Sequence, residues 1–169
     1  MNELTPEERA SEYCEKRDSR PDFDNLLGTG QEGSVWPTTN KTAIKVFDRE
    51  QNFNSELGCY EILAEHGVFE IDGFTIPHLI GSDRELLIVE MTIVAPPFIL
   101  DFGKAYINCR PDFDDSVMEY YEQERTEMFE GNWDLVDSAV SSLEQFGIFY
   151  WDARPGNIDC RNHPLATFK

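Results

Sequence analysis

Positive charge is what this chain is short of. Its 33 Asp and Glu residues outnumber 14 Lys and Arg, for a formal net charge of -19. Such a polyanion repels phosphate backbones and anionic headgroups, which excludes nucleic acid and membrane surfaces as partners. A basic protein partner or substrate is the electrostatic complement, although plain solubility accounts for the balance as well. Metal-ligand spacing is missing too. Cys14, Cys59, Cys109 and Cys160 form no C-x-x-C pair, and His66, His78 and His163 stand at no zinc-like spacing from them. Free thiols in a reducing, cytoplasmic location are expected. No apolar signal core opens the chain, and no apolar run is long enough to cross a bilayer. The composition does supply 40% hydrophobic and 12% aromatic residues over 169 positions, enough for a folded domain with a real core.

One stretch organises the rest. Gly28, Gly30 and Gly33 fit G-x-G-x-x-G, Val35 extends it to G-x-G-x-x-G-x-V, and Ala43-Ile44-Lys45 places a lone lysine on an apolar strand. A dinucleotide-binding βαβ unit uses the same triplet, and Asp48 stands where its ribose-binding acid would fall. That unit requires a helix directly after the third glycine, whereas Gly33 is followed by Ser34-Val35-Trp36-Pro37-Thr38-Thr39, which reads as strand and turn. The absence of G-K-[ST] excludes the other phosphate loop.

In chain order, Thr5-Pro6-Glu7-Glu8 starts a helix running to about Lys16, thin in apolar residues and expected to pack at an edge. Phe23–Leu27 is expected to enter the glycine turn as a strand, Ser34–Trp36 to leave it as another, and Thr42–Phe47 to form a third. A helix is predicted from Asn54 to about Glu65, stopped by Gly67. Leu86–Val94 is almost continuously apolar, as in a strand buried on both faces, and ends in a connector at Ala95-Pro96-Pro97. Asp114 opens a helix to about Phe129, and Trp133, Val136, Val140 and Leu143 repeat at helical spacing up to Phe146-Gly147. Ile148–Tyr150 is a short strand delivering Trp151–Asn157.

The sequence of glycine turn, lysine strand, helix with glutamates, buried strand, helices and Asp152-x-x-x-x-Asn157 resembles the protein-kinase-like superfamily, over about residues 23 to 168. The resemblance implies an α+β fold: a kinase-like small lobe with a five-stranded antiparallel sheet and one helix, then a minimal, mostly helical remnant of the large lobe. It divides the chain into an N-terminal helical extension (1–22), the small lobe (23–94), and a hinge with reduced large lobe (95–169). It implies ATP and Mg2+ as ligands. Gly28, Gly30 and Gly33 would let backbone amides approach phosphates. Lys45 would supply charge to the α and β phosphates, held by Glu56, with Glu61 as runner-up. Leu27, Val35 and Ala43 would wall the adenine, and Glu90 to Thr92 would offer backbone groups to its edge. Asp152 would orient or deprotonate an acceptor hydroxyl, Asn157 with Asp152 would bind magnesium, and Arg154 would neutralise the transferred group.

The pattern departs from the superfamily in two places. Tyr150 stands where a His is frequent. The magnesium-binding Asp-Phe-Gly, due on the strand after the catalytic loop, does not follow Asn157; an Asp101-Phe102-Gly103 lies before the helices instead. Its position in the chain marks Asp101 as a chance match, with relocation into the site as the minority hypothesis. The expectation is an ATP-binding, kinase-like protein, with a regulatory pseudokinase-type module as the alternative.

Overall fold

The computed structural model describes residues 3–168. It is a mixed α+β fold with four α-helices, a five-stranded antiparallel sheet and smaller sheets beneath it. Helix α1 (Pro6–Glu15) begins as its residue types dictate. Thr5 Oγ1 accepts from the Glu8 amide, and the Glu8 carboxylate accepts from the Thr5 amide. The glycine turn joins β1 (Gly28–Gly30) to β2 (Gly33–Pro37), and β3 (Thr42–Phe47) completes a meander before α2 (Glu50–Glu65). After the small hairpin β4 (Glu70–Ile71) and β5 (Phe74–Thr75), strands β6 (Leu79–Asp83) and β7 (Ile88–Thr92) return to the main sheet, in the order β1-β2-β3-β7-β6.

Three boundaries differ from the sequence expectation: Leu86, Leu87, Ile93 and Val94 lie outside strand β7, and two earlier segments shift as well. Phe23–Leu27 is not a strand. Asp22 draws this segment into a turn, accepting from the Asp24 amide and the Asn25 side chain, and pairing with β2 begins only at Leu27. Helix α2 starts at Glu50, a turn earlier than Asn54, although its N-cap Arg49 makes no capping bond. Packing of Phe53 in the core supplies what the cap does not.

Strand alternation then decides what each face carries. On β3, Ile44 and Val46 point to one side and Ala43, Lys45 and Phe47 to the other. The first side is closed by α1, whose Ala10, Tyr13 and Cys14 pack against Trp36, Ile44, Val46 and Ile88. The helix expected at an edge therefore covers a sheet face. It also brings Tyr13 to Glu90, a carboxylate 4% exposed that accepts from the Tyr13 and Thr42 hydroxyls. Tyr13→Phe takes a donor from this buried anion and is expected to cost about 1–3 kcal/mol. Urea unfolding should show a lower midpoint at unchanged slope; an unchanged midpoint would remove Tyr13 from the support of Glu90.

The other sheet face packs on α2 and on the second half of the chain. There β8 (Phe98–Ile99), β9 (Tyr106–Ile107), α3 (Asp115–Phe129), α4 (Trp133–Leu143), β10 (Ile148–Phe149) and β11 (Ile158–Asp159) follow in order. Strands β9 and β10 pair with each other, and β11, β8, β5 and β4 form a four-stranded sheet. Among the described residues no helix is long and apolar enough to cross a membrane, and Cys14, Cys59, Cys109 and Cys160 are all unbridged.

Candidate functional site

Lys45 faces the cleft side of β3, and the first turns of α2 bring Glu56 beneath it. The ammonium meets the Glu56 carboxylate at 2.6 Å, Asp101 at 2.9 Å and Glu32 at 3.3 Å. Glu61, the alternative partner, is exposed on the far face of α2. Burial alone would depress the Lys45 ammonium, but Glu56, Asp101 and Glu32 outweigh it and hold it well above its ordinary range. Burial opposes ionisation of Asp101 too, yet Lys45 keeps that carboxyl below its usual value. Burial, then the neighbouring Asp101, pushes Glu32 up.

Asp101 was expected outside the site from its place in the chain, and the fold places it inside. Strand β8 lies antiparallel to β11, the strand that leaves the Asp152–Asn157 loop, with Ile99 opposite Ile158 and Phe98 opposite Asp159. The Leu100 amide donates to the Asn157 carbonyl at 2.8 Å. The segment preceding the helices thus runs beside the strand that leaves the loop. Phe102 anchors it, fully buried and edge-on to Tyr60 of α2 and to Tyr150. The Tyr150 hydroxyl donates to the Leu100 carbonyl at 2.7 Å and so ties the loop to the Asp-Phe-Gly segment.

Opposite Lys45, Asn157 Nδ2 donates to the Asp152 carbonyl at 3.0 Å and to its carboxylate at 3.2 Å. Arg154 reaches the same carboxylate at 3.0 Å, and Lys104 stands 3.9 Å from it. Carboxylate oxygens of Glu32, Asp101 and Asp152 lie within 4.8 Å of one another, a donor set that suits a hard divalent cation. Of the residues singled out for metal, Asp152 is in this cluster, while Asn157 turns its amide nitrogen toward Asp152.

A cavity of about 760 Å³ runs between these walls, within the size range of small-molecule and cofactor sites. Leu27, Gly28, Gly30, Gly33, Val35, Ala43, Lys45, Glu56, Thr92, Arg154 and Asn157 all line it. Glu90 does not. Alternation on β7 sends Glu90 to α1 and Met91 to the cleft. The Thr92 amide is also committed, donating to the His78 carbonyl, so the chain edge outside the ladder begins at Ile93 and Val94. Within the glycine triplet, only Gly33 is demanded by the fold itself: its φ is +143°, and a Cβ there would collide with the Val46 carbonyl. Gly28 and Gly30 have room for a methyl group.

Sequence reasoning missed Glu32 and Lys104, which no motif position marks, and also Tyr60, which read as plain core. Asp101 carried a visible signal in its Asp-Phe-Gly, set aside because the order was wrong.

No family model matches the chain, and no curated protein matches it. Among solved structures, that of the streptomycin-ATP-APH(2")-IIa ternary complex is similar at 12% identity and a TM-score of 0.37, over 86% of this chain and 57% of the other. The chain therefore spans a little over half of that neighbour's length.

Proposed function

We propose that this chain is a kinase-like phosphotransferase that binds ATP with a divalent cation in the cleft and passes the γ-phosphoryl group to a hydroxyl. One observation carries the reading: Asp101, out of order in the chain, is brought onto Lys45 and across from Asp152 by the pairing of β8 with β11. On this reading residues 23–94 act as the small lobe, 95–169 as hinge and reduced large lobe, and 1–22 as an extension closing the outer sheet face.

Each residue then has a task its position suits. Leu27, Val35, Ala43 and Met91 enclose an adenine ring, with the Ile93–Val94 backbone at its edge. Gly28 and Gly30 leave the loop bare for phosphate oxygens, and Lys45, fixed by Glu56, supplies their counter-charge. Asp101 and Asn157 would hold the cation, whose charge would offset that gathering on the phosphates. Asp152 has one carboxylate oxygen engaged by Asn157 and Arg154 and offers the other to the acceptor hydroxyl, whose proton it takes as the new P–O bond forms and ADP leaves. Arg154 balances the Asp152 charge and would offset that of the transferred group. A basic acceptor protein suits the net charge of -19.

Melting with and without Mg2+ and ATP tests the binding. At 100 times Kd, a ligand specific for the folded state adds about 2.7 kcal/mol, which is visible as a raised Tm. Labelled ATP then tests transfer to basic proteins and to small hydroxyl compounds. Asp152→Asn should cut that transfer by about 100-fold or more at an unchanged nucleotide shift. No Tm shift with the wild-type chain would sink the nucleotide reading, and undiminished transfer in Asp152→Asn would remove Asp152 from the chemistry.

A further inference from the structure

Glu32 sits at the tip of the glycine turn, where Thr29, Gly30 and Gln31 are all exposed. Glu32 itself is only 7% exposed. A carboxylate at a loop tip is best solvated by pointing outward; this one is folded under the loop. Its backbone is pinned there, the Asp48 amide donating to the Glu32 carbonyl at 3.0 Å. Its carboxylate reaches Lys45 Nζ at 3.3 Å and Lys104 Nζ at 3.7 Å, which are two cations of the cleft. The fit is incomplete, because Oε1 is buried with no hydrogen-bond partner and the carboxylates of Asp101 and Asp152 stand close by. The loop therefore holds its carboxylate in a place where two cations meet it without fully satisfying it.

That place coincides with the position a nucleotide's phosphates would need, under the glycine turn and against Lys45. We infer that Glu32 is a built-in competitor for phosphate: its carboxylate fills the anion position beneath the glycine turn and must swing out before phosphates enter. The inference rests on the nucleotide reading above and adds a regulatory element to it. Only molecules in which Glu32 has swung out are competent, so the observed affinity for phosphate-bearing ligands is lowered by the fraction of time it spends inside. Gly103 makes the closed arrangement possible, since a Cβ at that position would collide with Glu32 Oε2.

Two variants separate charge from occupancy. Glu32→Gln keeps the shape and removes the charge that binds Lys45. Gly103→Ala keeps the charge and evicts the carboxylate. Calorimetric titration of both, and of the wild type, with ADP, ATP with Mg2+, and adenosine supplies the readout. Both variants are expected to bind ADP and ATP about tenfold more tightly than the wild type, with the gain confined to ligands that carry phosphate. Equal or weaker ADP binding in both variants overturns the competitor. A gain of the same size for adenosine also overturns it, because the effect would then be on loop opening in general. If adenosine, ADP and ATP bind to none of the three proteins, the nucleotide reading fails and this inference fails with it.

Discussion

Asp101→Asn is expected to lower phosphate transfer by about 100- to 1,000-fold while leaving the fold intact. The substitution is nearly isosteric, and Asp101 has a φ of +65°, a backbone conformation that Asn tolerates as well as Asp does. Its side chain is 26% exposed, and Lys45 keeps Glu56 at 2.6 Å and Glu32 at 3.3 Å, so no buried cation is stranded. What changes is the charge. Despite burial, Lys45 holds the Asp101 carboxyl below its ordinary range, so it is ionised at neutral pH and is a strong ligand for a hard cation. A neutral amide oxygen in its place is a weak one. The variant should melt near the wild type, need more Mn2+ or Mg2+ for half-maximal transfer, and turn over far more slowly. A residue merely caught near the cleft would give none of this, and a wild-type rate at ordinary cation concentration would return Asp101 to coincidence.

Asp101 also shows where the sequence was legible and where it was not. Short-range rules read well. The Thr5 and Glu8 capping box, the limits of β3, the start of α3 at Asp114 and the stop at Gly147 follow from residue types within a few positions of one another. The partnership of Lys45 with Glu56 followed from an ordered set of motifs and is met at 2.6 Å. Pairings across the chain were hidden. Strands β8 and β11 have two residues each, too short for an alternation pattern, and nothing local says that Ile99 meets Ile158. Linear order was therefore used as a stand-in for proximity, and it misplaced Asp101. Glu90 is a different case: the expectation concerned its backbone groups, and these lie inside the ladder, between Ile44 of β3 and Gly81 of β6. Glu32 was invisible because the glycine pattern leaves its position unspecified.

Lys45→Met should have the largest effect on stability. The Glu56 side chain is 1% exposed and the Lys45 side chain 8%, so this pair lies in the interior rather than at the rim. Burial pushes the Glu56 carboxyl up to about 7 even with Lys45 beside it. Removing the ammonium leaves Glu56 as a buried acid with no cation and takes a counter-charge from Asp101 and Glu32 as well. Breaking one side of a buried pair costs about 3–5 kcal/mol. For a chain of 169 residues that corresponds to a Tm lower by about 6–20 °C. The double variant Lys45→Met with Glu56→Leu separates electrostatics from function, because an apolar pair of similar volume is often neutral or better than the ion pair it replaces. It is expected to regain most of the lost stability and none of the Tm shift with Mg2+ and ATP, since the phosphates have lost their cation. A double variant as unstable as Lys45→Met would assign the loss to packing rather than to a stranded carboxylate. A double variant that recovers the nucleotide shift would show that Lys45 serves the fold alone.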